Sequence, residues 1–262
     1  MYCQGMVRTE PTLAMPGFVG LAAHPLRWQL LTMLSVSDYR VRELVAQLDE
    51  PQNLLSYHLR QLRDGGLVTA RRSSHDGRDT YYHLDLDRCA DALAETAAAL
   101  HPALGEVAAA TPPGRKRSRP AAVLFVCTGN SIRSPIAEAL LRHHGGKRVD
   151  VASAGTHPRA QLHPDAARLL GELFGIDVAG QRTQDVNRVT DRRFDRVVTL
   201  CDKARERCPE FAHQPRQVHW SVPEPTVTKT RDRGGYTDFR RVAEDIDTRV
   251  RHLLPSLALT DR

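Results

Sequence analysis

Residues 121–126 read AAVLFV, and the chain passes from this apolar run directly into CTGNSIRSP and then the helical IAEALL at 136–141. A continuous apolar run of that length is the mark of a parallel strand buried on both faces. Further strands at 149–154, 196–200 and 217–220 and helices at 164–173 and 237–254 follow from the same reading of the pattern. Strands alternating with helices predict an α/β domain with a parallel sheet. The loop after its first strand then lies at the carboxyl edge of the sheet, where such domains place ligands.

That loop carries chemistry. Gly129 and Asn130 accept left-handed backbone angles. Such a loop turns successive N–H groups inward to cradle a tetrahedral oxyanion at a helix N-terminus. Thr128, Gly129, Asn130, Ser131 and Ile132 form the cradle, and Arg133 adds a planar bidentate clamp. The same inward field favours a thiolate nucleophile at Cys127, Ser134 is in place to donate a hydroxyl bond to it, and Pro135 suits a first helical turn. The bare spacing Cys-x5-Arg is weak by itself, because Cys201 and Arg207 repeat it within the charged stretch DKARER. Position between a buried strand and a helix start separates the two.

Residues 107–120, VAAATPPGRKRSRP, have Pro, Gly and basic residues without apolar periodicity and read as a linker. The expected organisation is a domain at 1–106, this linker, and a domain at 121–262. The net charge of +6 is unevenly spread: residues 1–110 carry 10 basic and 13 acidic side chains, 111–120 four basic and none acidic, and 121–262 23 basic and 18 acidic. Any nucleic-acid binding by the first part must therefore rest on local placement of Arg rather than on bulk charge. No apolar run approaches the roughly 20 residues of a membrane span. The first residues lack a basic-then-apolar signal segment, and the five cysteines are too few and odd in number for a secreted disulfide framework. The expected location is the cytoplasm, with no membrane partner.

In the first domain, Leu26, Leu30, Leu31 and Leu34 share a helical face within 24–34, and Val41, Leu44, Val45 and Leu48 share another within 41–48. A third helix at 52–63 turns Leu55, Leu59 and Leu62 inward and ends at Gly65-Gly66. Strands at 67–72 and 80–84 enclose a polar loop, and 91–104 reads as an Ala/Leu helix. Two helices on a tight turn followed by a hairpin are a winged helix-turn-helix.

The stretch SYHLRQLRDGGLV running into an Arg-rich hairpin resembles the ArsR/SmtB family of bacterial repressors over about residues 20–90. The resemblance implies a groove-reading helix with Gln52, Asn53, Ser56, Tyr57, His58 and Arg60, and a wing with Arg71, Arg72 and Arg78 on the flanking DNA backbone. It also implies operator DNA as partner and a homodimer through the 91–104 helix. The soft-metal sensors of that family often carry a cysteine pair where this chain has Val41-Arg42-Glu43, so ligand sensing by this domain is unsupported.

CTGNSIRSPIAEAL, SAGT at 153–156 and the final helix resemble the low-molecular-weight tyrosine phosphatases over about 121–255. Within that fold, VVTLCDKARERCP at 197–209 and the HW at 219–220 look much more like arsenate reductases with a cysteine relay. The resemblance implies arsenate as substrate, with Cys127 as nucleophile and Cys201 and Cys208 as relay thiols. A disulfide then passes to an external thiol reductant, thioredoxin-like or of mycothiol type. It further implies a potassium ion held by Asn130, Glu138, Ser153 and Asp185, no tightly bound cofactor, and Glu224 of Pro223-Glu224-Pro225 at the place of the family's general-acid Asp. Two other functions stay open. One is a tyrosine phosphatase with a regulatory DNA-binding domain. The other is a pure transcription regulator whose second domain senses an oxyanion or a redox signal.

Overall fold

The computed structural model describes residues 15–104, 119–226 and 233–258, so the 107–120 linker lies, apart from its last two residues, outside the described residues. The first domain contains α1 (Gly17–Ala22), α2 (Pro25–Leu34), β1 (Tyr39–Arg40), α3 (Val41–Leu48), α4 (Gln52–Asp64), β2 (Val68–Arg72), β3 (Thr80–Leu84) and α5 (Leu86–Leu100). The second contains β4 (Ala121–Cys127), α6 (Arg133–Gly145), β5 (Val149–Gly155), α7 (Pro164–Phe174), β6 (Arg196–Thr199), α8 (Asp202–Arg207), β7 (Arg216–His219) and α9 (Arg233–Ala258).

The leucines of α2, α3 and α4 close one small core. The His24 ring accepts the Leu26 N–H, so α2 starts at its Pro25 with a capped first turn. Helix α5 begins at Leu86, five residues ahead of the expected start, because the Asp85 carboxylate accepts the Arg88 N–H as an N-cap. The hairpin β2–β3 takes a third strand, β1, in an antiparallel sheet ordered β1-β3-β2. The two-residue β1 has no periodicity of its own to reveal it.

The second domain is a four-stranded parallel sheet ordered β5-β4-β6-β7. All seven residues of β4 are buried, as the apolar run requires of a central strand. Among the described residues no helix is long and apolar enough to cross a membrane.

The domains are joined by a polar interface. Arg249 on α9 is buried and donates to both carboxylate oxygens of Asp38, and Asp38 in turn accepts the Ser221 N–H at 2.7 Å. Burial opposes the charge of Arg249, but Asp38 and Asp245 outweigh it and hold the guanidinium firmly protonated. The Asp38 N–H donates to the His219 carbonyl at 2.8 Å. These contacts seat the winged helix against the carboxyl edge of the parallel sheet.

Candidate active site

Cys127 ends β4, and the loop 128–132 carries the chain to Arg133 at the start of α6. Asn130 is in the left-handed region at φ 44°, and this turns its N–H onto the Cys127 Sγ at 3.2 Å. The Ser134 Oγ lies 3.0 Å from the same sulfur. The Asn130 side-chain amide donates to the Ser134 Oγ at 3.0 Å, and the Ser134 hydroxyl has both the sulfur and, at 3.4 Å, the Ala154 carbonyl within reach of its one hydrogen. The Arg133 guanidinium is 5% exposed, donates to the Val222 carbonyl at 3.1 Å and lies 3.6 Å from Glu224.

A second segment fixes the loop. The N–H groups of Thr156, His157, Arg159 and His163 donate to the carbonyls of Cys127, Thr128, Gly129 and Ser131 at 2.8–3.1 Å. With those carbonyls tied outward, the loop is held in place before any anion arrives, which is the preorganisation that oxyanion stabilisation requires. Gly155 permits the close approach: a Cβ there would stand 2.8 Å from the Thr128 oxygen and 3.0 Å from the Asn130 nitrogen. These tethers are backbone to backbone and have no residue signature beyond the small residues of SAGT.

The loop floors a cavity of about 260 Å³ lined by Cys127, Thr128, Gly129, Ser131, Ile132 and Arg133. Cys201 and Glu224 reach the same cavity. Cys201 sits at the N-cap of α8, buried, with its Sγ 3.3 Å from the Thr128 hydroxyl. Burial pushes its thiol up, against the pull of the Arg133 charge. Cys208 sits at the other end of α8, half-buried, and burial pushes its thiol up to about 11. Six helical residues separate the two cysteines, on the order of 10 Å of rise at 1.5 Å per residue. A disulfide needs the two Cα atoms within about 7 Å. The helix must therefore open before the two sulfurs can meet.

The expected DNA-reading residues divide. Gln52, Asn53, Tyr57 and Arg60 are exposed along α4, Ser56 is half-buried, and Arg72 and Arg78 are exposed on the hairpin. His58 is not on that face. It is 4% exposed, 4.3 Å ring to ring from His24, because Leu55, His58, Leu59 and Leu62 share the helical spacing of the core stripe. That spacing was the signal for its burial. Arg71 is not free for DNA in this arrangement: it donates to the Ser221 carbonyl at 2.6 Å and lies 3.6 Å from Asp245.

The family model of the low molecular weight phosphotyrosine protein phosphatases matches residues 122–261. The chain belongs to that family. A second model, that of bacterial regulatory proteins of the arsR family, matches residues 24–70. An arsenate reductase of Halalkalibacterium halodurans is 33% identical over 129 residues, 49% of this chain and 91% of the relative. One of Bacillus subtilis is 31% identical over the same shares. A solved arsenate reductase in its phosphate-binding state aligns at 28% identity over 52% of this chain and 98% of its own, with a TM-score of 0.46. The chain thus joins an arsR-type helix-turn-helix region to a domain of the arsenate reductase and low-molecular-weight phosphatase kind.

In this phosphatase-family domain three of the four residues expected to hold potassium meet, and the fourth does not join them. Asn130, Glu138 and Ser153 do come together: Asn130 donates to Ser153 at 2.8 Å, and Ser153 donates to Glu138 at 2.6 Å. However, Arg142 binds the other Glu138 oxygen, Gln181 donates to Glu138 at 2.5 Å, and the Gln184 N–H occupies the Asn130 carbonyl. Asp185 turns away to cap its own 3₁₀ turn through Asn187. In this arrangement a guanidinium and two amides are partners of these oxygens.

Proposed function

We propose that the chain is a bifunctional arsenic-resistance protein, a DNA-binding regulator fused to an arsenate reductase. One observation carries the reading: a second thiol, Cys201, lies on the wall of the cavity whose floor is Cys127. Hydrolysis of a phosphate ester needs no second thiol, whereas reduction of arsenic(V) needs two electrons from sulfur.

Arsenate has the tetrahedral shape of phosphate and takes the same inward N–H groups and the Arg133 clamp. The Cys127 sulfur attacks arsenic and water departs, giving a covalent thiol–arsenate adduct. The Cys201 thiolate then attacks the Cys127 sulfur. The S–As bond breaks with its electron pair staying on arsenic, and arsenite leaves. The Cys208 thiolate attacks Cys201, returning Cys127 as a thiolate and leaving a Cys201–Cys208 disulfide. In sum, arsenic acid and two thiols give arsenous acid, one disulfide and water. A dithiol reductant of the thioredoxin type regenerates the pair by exchange. Glu224, at the cavity mouth beside Arg133, is the group available to protonate a leaving oxygen.

The α4 face with Gln52, Asn53, Tyr57 and Arg60 supports operator recognition, and α5, with Leu93 and Leu100 exposed, supports pairing of two copies. The test of the enzymatic reading is Cys127→Ser beside Cys201→Ser. The first loses both arsenate reduction and aryl-phosphate hydrolysis. The second loses reduction alone. Normal arsenate reduction by Cys201→Ser would remove the relay and favour a phosphatase.

A further inference from the structure

Helix α8 has two partners. Its ends are Cys201 and Cys208, and its side chains hold the winged helix. Asp202 is 2% exposed and accepts the Ser73 hydroxyl at 2.6 Å and the Ser74 N–H at 3.0 Å, both from the turn at the tip of the β2–β3 hairpin. His219 and Ser221 donate to its other oxygen. Glu206 pairs with His75 of the same turn at 3.0 Å, and Arg205 with Glu43 of α3 at 2.9 Å. Three of the six residues of α8 therefore bond the DNA-binding domain, and Ser74 and His75 form part of the wall of the catalytic cavity.

We infer that oxidation of the relay is transmitted to the DNA-binding domain: closing the Cys201–Cys208 disulfide opens α8 and releases the wing. The inference rests on the relay reading above and goes beyond it. The wing, when docked, offers DNA a weaker grip, although Arg72 and Arg78 stay exposed. The Ser73 hydroxyl and the Ser74 N–H, two donors that a phosphate would take, are spent on Asp202, and the carboxylates of Asp202 and Glu206 beside the tip repel a phosphate backbone. Arg71, at the base of the wing, is held by Ser221 and Asp245. Bringing Cys208 to Cys201 shortens the span of α8 and cannot leave Asp202, Arg205 and Glu206 on one helical scaffold. The electrons are those already accounted for: two leave the Cys201 and Cys208 thiols, arsenic receives them, and an external dithiol restores the reduced, docked state. By this device the catalytic domain reports arsenate turnover to the operator as a tighter grip, and the reductant resets it.

The experiment uses the full chain in two states, reduced and after one turnover of arsenate without reductant, with the disulfide mapped by mass spectrometry. Amide exchange at residues 73–79 is read in both, together with affinity for a duplex carrying the DNA upstream of the chain's own coding region. Exchange at Ser74 accelerates on the order of tenfold or more on oxidation, as expected where a local contact is lost. Affinity rises about tenfold, with a steeper salt dependence, as the wing adds phosphate contacts. Cys208→Ser shows neither change after the same treatment, and reduced Asp202→Asn shows both without any disulfide. If the Cys201–Cys208 bond forms while Ser74 stays protected, or the affinity is unchanged or falls, the coupling is overturned and the relay stands. If no such bond forms, the relay and the coupling both fall. If reduced Asp202→Asn keeps the wing protected, α8 is not the clasp.

Discussion

Gly155→Ala tests whether the backbone tethers make the oxyanion loop. The added Cβ stands 2.8 Å from the Thr128 carbonyl oxygen, where ordinary contact begins at 3.4 Å, so the loop must retreat by at least about 0.6 Å. The retreat falls on Asn130, whose nitrogen is 3.0 Å from the new carbon and whose N–H serves the Cys127 sulfur. Misplacement of a reacting group by about 1 Å costs on the order of 10²-fold, so a fall of between about 10-fold and 100-fold in kcat/KM is expected for both arsenate reduction and aryl-phosphate hydrolysis. Overpacking of this kind costs about 1–3 kcal/mol of stability. The assay is steady-state kinetics on the two substrates, with thermal melting as the companion measurement. Gly171→Ala is the control: a Cβ there meets nothing within 4 Å on α7, so activity holds while stability rises by about 0.5–1 kcal/mol. A Gly155→Ala enzyme within threefold of the parent would refute the argument that this contact shapes the loop.

Further outcomes follow from single groups. Burial raises the Cys208 thiol to about 11, so the rate of Cys201–Cys208 bond formation in a single turnover climbs about tenfold per pH unit from pH 7 to 9, and a plateau by pH 8 contradicts that control. Glu224→Asp shortens the acid by one methylene and raises aryl-phosphate kcat/KM about tenfold while changing arsenate reduction less than about threefold, because ester cleavage must protonate an alkoxide or phenoxide and arsenate reduction need not. Equal changes in both reactions place the acid elsewhere. Arg60→Ala weakens operator binding by about 1–3 kcal/mol if its guanidinium reads a base, measured by titration at fixed salt, and an unchanged affinity removes it from the recognition face.

The catalytic loop was legible because its chemistry is local: one apolar strand, two residues tolerant of left-handed angles and a helix start, contiguous from Ala121 to Leu141. The leucine stripes of α2 and α4 were legible for the same reason, with Leu30, Leu55, Leu59 and Leu62 fully buried. What was not legible is long-range. Asp38, Ser73 and Asp202 look like ordinary surface polar residues until the domains meet, and then each is buried with its partners. Arg71 read as a wing cation because its partners Ser221 and Asp245 lie 150 and more residues away. Asp185 sat at the right place in the chain for an ion, but its carboxylate answers to Asn187 two residues on. Local side-chain bonds of this kind compete with any more distant ligand.

If three thiols act in sequence, as proposed above, the arsenite released per chain counts their steps. The full chain, reduced and then freed of reductant, is mixed with excess arsenate, and arsenite released per chain is measured with and without a thioredoxin system. One arsenite per chain is expected without reductant, and continuous turnover with it. Cys208→Ser releases one arsenite and stalls as a Cys127–Cys201 disulfide, and Cys127→Ser releases none. Continuous turnover by Cys208→Ser at the parent rate with thioredoxin would contradict the sequence of thiols proposed here.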